Sequence, residues 1–264
     1  DAQESRGLGD VYKRQVQADG FDRSQSAYEI IVATDIDRLT SRKADMWKSG
    51  KVRSSQSAFV RYAGKSLKPL TSYYWMVRIW DEDDKSSKWS EPAKFETGLM
   101  DDESQWHEAK WITLSNDSRK SEHRFREFKT GAMKEPVMVT SQPVGYFRDE
   151  AVLDKEIKSA RAYICGLGYY ELYINGKKVG DHVLDPAPSN YDKQAYYVAY
   201  DVTRNLSSGK NTLGIILGNG FYGQNISWKN NPEADKNLSF GAPAARMVVK
   251  VCLLYTSDAA DDLT

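Results

Sequence analysis

The chain has 264 residues, 40% of them hydrophobic, and Lys+Arg and Asp+Glu balance at 37 each. That length suits about two domains of ordinary size. Interspersed, balanced charge excludes the concentrated basic face of a nucleic-acid binder, and apolar runs as short as Leu213–Leu217 exclude a membrane-spanning helix of about 20 residues.

Neither end reads like the rest. Residues 1–15, including Arg6–Gln15 (RGLGDVYKRQ), and residues 252–264 (CLLYTSDAADDLT) are expected to be foreign or disordered tails. Between them, the first domain is expected at 16–98, with its first strand before residue 20. Ala27–Thr34 alternates, setting Tyr28, Ile30 and Val32 on one face of a strand. Trp47–Lys51 marks a turn, and Ser57–Tyr62 reads as a further strand. Ser72–Asp81 alternates again, with Tyr73, Trp75, Val77 and Ile79 on one side and Tyr74, Met76, Arg78 and Trp80 on the other. Just upstream, Leu67, Pro69, Thr71 and Tyr73 stand at alternate positions, the pattern of a tyrosine corner in fibronectin type III domains, whose hydroxyl bonds back to upstream backbone. Trp89–Pro92 and Phe95–Gly98 read as the last strand and exit. The acidic run Asp81–Asp84 has the residue types of a calcium loop, but its place between two strands reads better as a solvated hairpin turn.

After a linker at 99–103, the second domain is expected at 104–251. Ala109–Thr113 is its opening strand, and the polar stretch Ser115–Ser141 is a long excursion. Strand character returns at Gly145–Arg148, Arg161–Cys165 and Tyr169–Ile174, the last with Tyr170, Leu172 and Ile174 inward. Asn175-Gly176 is the signal of a type I′ hairpin, with Lys177–Val179 returning. Tyr196–Val202 alternates, and Ser208–Asn211 turns the chain into the strand Thr212–Leu217. Almost nothing has helical period. The fold class is all-β: a fibronectin type III-like sandwich, then a jelly-roll (galactose-binding-like) sandwich expected to be incomplete.

Gly218, Gly220 and Gly223 fit G-x-G-x-x-G after a strand, but turn residues follow where a nucleotide fold needs a helix. The cysteines Cys165 and Cys252 make no disulfide framework, and His107, His123 and His182 show no ligand spacing. No cofactor or metal is expected.

The run Leu167–Asp181 (LGYYELYINGKKVGD) is similar to the N-terminal β-sandwich of bacterial α-L-rhamnosidases, glycoside hydrolase family 78. So, in order, are Val183–Pro186, Tyr200–Thr203, Gly209–Asn211 and Leu217–Gly223; Trp80-Asp81 and Phe95–Gly98 extend the resemblance upstream. Tyr146–Ala151 (YFRDEA) departs from the family's pattern, which has a basic residue and an aromatic there, so a frayed strand is expected. Similar motifs recur in the sandwiches of β-galactosidase-like enzymes.

The resemblance implies an accessory region of an enzyme that removes terminal α-L-rhamnose with inversion, in a helical barrel downstream. Inversion takes two carboxyl groups about 6.5–9.5 Å apart. No matched position carries a family catalytic residue, so none is assigned. The implied partners are a rhamnose-containing glycan, through the whole enzyme, and the catalytic barrel on the same polypeptide; neither nucleic acid nor membrane is expected. The sequence does not fix a compartment, and the whole bacterial enzyme is expected to be secreted or periplasmic. Sugar sites combine aromatic faces with amide or carboxylate groups on loops. The candidates are Asn190, Tyr191 and Asp192; Asn219, Phe221 and Tyr222; and Asn225 and Trp228. The alternative reading has these aromatics packing the sandwich end or meeting the barrel. A free-standing carbohydrate-binding module is the competing function, and Asp185-Pro186 and Asp201 read as turn formers.

Overall fold

The computed structural model describes residues 24–100, 102–114, 121–124, 138–141, 143–223 and 240–254. The chain divides into two compact units between Gln105 and Trp106. The strand expected before residue 20 lies outside the described residues.

Among its described residues the first unit is an antiparallel sheet with one short α-helix. Its elements are β1 (Ala27–Ala33), α1 (Ile36–Thr40), β2 (Trp47–Lys48), β3 (Val52–Arg53), β4 (Ser72–Trp80) and β5 (Ala93–Glu96), and the order across the sheet is β2-β1-β4-β5, with β3 also pairing β1. Val32 opposes Trp75 and Ile31 opposes Met76, so both strands offer apolar side chains to both faces. Tyr28, Val32 and Tyr73 are buried on one face, and Ile31 and Ala33, packed with Leu39 of α1, on the other. Both faces of the sheet thus bury apolar side chains.

Tyr73 is 1% exposed, and its hydroxyl accepts the Lys68 N–H at 2.8 Å. This is the expected corner. The Asp81 carboxylate accepts the N–H groups of Asp83 and Lys85, and Lys51 pairs with Asp84, so the acidic run closes a turn. Arg78 bonds Glu29 at 2.6 Å and lies 4.8 Å from the rings of both Trp80 and Trp89.

Two expectations need correction here. Ser57–Tyr62 is not a strand: Phe59 takes φ +55°, which breaks an extended run, and Tyr62 turns its ring edge to Trp47 and bonds the Lys65 carbonyl. Trp47-Lys48, read as a turn, pairs with β1, and the turn follows at Gly50, φ +63°.

The second unit contains β6 (Ile112–Thr113), β7 (Ser121–Arg124), β8 (Met138–Ser141), β9 (Gly145–Leu153), β10 (Ile157–Leu167), β11 (Tyr169–Ile174), β12 (Lys177–Lys178), β13 (Tyr197–Asp201), β14 (Gly209–Gly218) and β15 (Ala244–Leu253). Two four-stranded antiparallel sheets, β13-β10-β15-β6 and β12-β11-β14-β9, make the sandwich. Ala160, Ala162 and Ile164 of β10 face Tyr170, Leu172 and Ile174 of β11 in one core with Val198, Ile215 and Leu217. Each buried Leu or Ile there contributes about 1.5–3 kcal/mol.

Asn175 and Gly176 have φ of +51° and +77°, the two positive values of a type I′ turn. β7 and β8 pair antiparallel within the stretch expected to be an excursion. The strand expected to fray, β9, pairs without a register shift against β14 from Gly145 to Leu153, pinned by Glu150 between Arg148 and Lys210 at 2.7 Å each. β14 begins at Gly209, inside the expected turn, and β15 runs two residues past Val251, into the expected tail. Because β14 pairs antiparallel on both sides, its trailing glycines cannot belong to a parallel nucleotide-binding unit.

Candidate functional site

The loops after β12 and β14 and the approach to β15 converge at one end of the second sandwich. Glycine makes this possible at two positions. Gly168, at φ +123°, would bring a Cβ within 2.3 Å of the Gly218 carbonyl oxygen, and Gly220, at φ +52°, within 2.9 Å of the Tyr169 nitrogen. Only a chain without side chains there lets the β14 loop lie flat on the start of β11. That loop then closes by a Gly223 N–H bond to the Asn219 carbonyl at 2.9 Å.

On this base stands an aromatic cluster. The Tyr191 ring meets Tyr222 edge-on at 5.1 Å and Phe240 at 5.2 Å, while Tyr222 and Phe240 stack at 6.0 Å. The Phe240 N–H bonds the Tyr222 carbonyl at 2.9 Å, tying the two loops together. Phe221, half exposed, meets Tyr169 edge-on at 6.4 Å. Burial, reinforced by neighbouring Tyr169, pushes the Tyr191 hydroxyl above the ordinary tyrosine range, so it stays protonated at neutral pH.

Asn190 is exposed and organises its own turn, its side-chain oxygen accepting the Asp192 N–H at 3.3 Å and its carbonyl those of Lys193 and Gln194. Asp192 is exposed beside it. The structure thus brings Tyr191 and Tyr222 together, sets Phe221 on Tyr169, and leaves Asn190 and Asn219 as turn formers. Asn225 and Trp228 lie outside the described residues.

A second constellation lies on β11, β13 and the loop after β12. The Tyr170 and Tyr200 hydroxyls are 3.4 Å apart, Tyr200 donates to the Asp185 carboxylate at 2.7 Å, and His182 Nδ1 meets the same oxygen at 2.8 Å. Burial pushes both tyrosine hydroxyls far above their usual range, so they act only as neutral hydrogen-bonding groups. Asp185 is therefore more than a turn former: it anchors a loop that exposes Val183 and Leu184. Asp201 does form a turn, through Thr203, and also pairs with Arg161 at 2.9 Å.

Two family models match the chain. One, described as the Rha78A-like N-terminal immunoglobulin domain, covers residues 14–101, and the other, the alpha-L-rhamnosidase N-terminal domain, covers residues 155–261. An α-L-rhamnosidase of Formosa agariphila is 60% identical over 236 residues, 89% of this chain and 25% of that protein. The chain belongs to the N-terminal region of the α-L-rhamnosidase family.

Solved α-L-rhamnosidases agree. The structure from Dictyoglumus thermophilum superposes with a TM-score of 0.72 at 37% identity, covering 89% of this chain and 24% of that one. The one from Aspergillus terreus gives 0.62 at 29%, covering 87% and 23%. The chain thus spans about a quarter of the length of the α-L-rhamnosidases it matches.

Against this family background the loop end offers aromatic edges and the exposed amide of Asn190, the chemistry of weak sugar contact or of packing against a neighbouring domain. Among the described residues no group of three or more His, Cys, Asp or Glu converges to hold a metal. Phe240 completes the cluster, and no sequence signal marks it: it stands in an aperiodic loop. The Tyr170–Tyr200–Asp185 hydrogen bonds were signalled only in part, by the alternation that turns Tyr170 and Tyr200 inward.

Proposed function

We propose that this chain is the accessory, non-catalytic β-sandwich pair of an α-L-rhamnosidase, supporting a catalytic barrel carried on the same polypeptide. The observation that carries the reading is the match of both sandwiches to N-terminal domains of the family, at a quarter of the relatives' length. The activity of the whole enzyme is removal of terminal α-L-rhamnose from glycosides or polysaccharides. The aromatic end formed by Tyr191, Tyr222 and Phe240 is the contact surface toward the barrel and the glycan it holds. Incubated with an aryl α-L-rhamnoside, the purified chain releases no product above buffer; measurable turnover overturns the reading.

The same cluster also favours a second reading, a carbohydrate-binding module that works by itself. Calorimetric titration with L-rhamnose separates the two. Binding in the micromolar to millimolar range that Tyr222→Ala abolishes supports the module, and a flat titration supports the accessory role alone.

A further inference from the structure

The outward face of the β12-β11-β14-β9 sheet carries a glycine that the fold does not require. Gly214 sits in the interior of β14, paired without a break to Tyr173 on one side and Arg148 on the other. Its φ is not among the positive values, and a Cβ added there would meet nothing nearer than Tyr173 Cβ at 3.6 Å, ordinary van der Waals contact. Inward neighbours Leu213 and Ile215 fill the core, so Gly214 faces outward. Glycine within a strand weakens it and often marks a place where a ligand or another backbone comes close. Here neither a turn, a bulge nor a steric need explains it.

The surroundings are those of a shallow trough. Tyr146 on β9 is 75% exposed and opposes half-buried Ile216, whose other partner is Glu171. Tyr173 lies on the far side of Gly214. Strands about 4.8 Å apart place β9 and β11 outward side chains about 10 Å apart across the bare floor. Every carboxylate of the face is already neutralised: Glu171 accepts Lys178 at 2.6 Å and the Tyr173 hydroxyl at 2.9 Å, and Glu150 is held by Arg148 and Lys210. Each side of the trough carries one tyrosine and one charged residue, Tyr146 and Arg148 on β9 and Tyr173 and Glu171 on β11, and this balance around a floor of Gly214 and Ile216 fits an uncharged, hydroxyl-rich ring.

We infer that this face is a binding site for a neutral saccharide, laid over Gly214 and Ile216 between Tyr146 and Tyr173 and hydrogen-bonded by Glu171 and Arg148. It is distinct from the loop end and independent of the rhamnosidase reading, since hydrolysis by the chain would leave it standing. The test is affinity electrophoresis of the chain through gels containing a rhamnan, a galactomannan or a mixed-linkage β-glucan. Retardation is expected in at least one gel, weakened about tenfold by Tyr146→Ala and by Gly214→Thr, and unchanged by Tyr222→Ala. Thermal melting controls for folding: Gly214→Thr, with a β-branched side chain pointing to solvent, melts no lower than the parent chain. Migration unaffected by all three polysaccharides overturns the inference. Retardation insensitive to Tyr146→Ala and Gly214→Thr, or lost only with Tyr222→Ala, overturns it as well.

Discussion

The side-chain nitrogen of Asn175 donates to Oδ1 of Asn211, 36 residues away, at 2.9 Å. Asn211 is fully buried, and the same Oδ1 accepts the Ser207 N–H while its Nδ2 donates to the carbonyls of Ser207 and Gly209. Asn175 in turn accepts the Thr212 N–H and donates to the Asn205 carbonyl. Two asparagines thus weld the β11–β12 turn to the start of β14. Asn211→Ala would strand several buried backbone and amide groups at once, and we expect a loss of about 2–4 kcal/mol, read by urea denaturation.

Tyr73→Phe keeps the ring's stacking on Phe95, at 5.4 Å, and removes only the oxygen that receives the Lys68 N–H. The expected cost is about 1–2 kcal/mol. A fall in the urea midpoint with an unchanged slope is the signature. A change below about 0.3 kcal/mol would show that water replaces the hydroxyl without cost.

The two thiols differ sharply. Cys165 is buried and its thiol is pushed up to about 12 by that burial, with Arg246 opposing only in part; Cys252 is exposed. In the native chain a thiol reagent modifies Cys252 and spares Cys165. Because the folded value lies above the unfolded one of about 8.5, the buried thiol's contribution is present at neutral pH and lost as pH rises toward its folded value. Melting from about pH 8 to about pH 11 should therefore fall less steeply in Cys165→Ala than in the parent.

Asp201 gives the opposite sign. Burial alone would raise its carboxyl, but the bonds from Thr203 and the nearby Arg161 guanidinium hold it below the usual range. Its contribution is present above the unfolded value, about 3.9, and disappears as pH falls through the lower folded value. Melts taken down to about pH 2 should lose stability more gently in Asp201→Asn than in the parent.

Much of the fold was legible because period-two alternation survives wherever one strand face is buried. β11 is the clearest case, and Asn175-Gly176 and the Tyr73 corner added signals tied to specific backbone geometry. What escaped were elements that tertiary context creates. α1 is five residues long, too short to show a period, and only Asp35, capping the Asp37 N–H, marks its start. β2 and β3 are two residues each, strands by virtue of their neighbours. Ser57–Tyr62 misled because aromatic and β-branched residues suggest a strand without supplying a partner. At the loop end, Tyr191 and Tyr222 were recognisable as loop aromatics, whereas Phe240 joins them only through the return of the chain to β15. The Tyr200–Asp185 bond joins residues whose nearness no linear pattern encodes.

The position of β15 has a consequence for synthesis. It is the last strand of its sandwich in chain order among the described residues, yet it lies between β10 and β6, and its pairing with β10 runs from Ala244 to Leu253. As a ribosome extends the chain at about 5–20 residues per second, β10 waits several seconds with one margin open and β6 has nothing to join. The nascent sandwich closes late and in a single event, so the interval before β15 emerges is when the growing polypeptide most needs a chaperone.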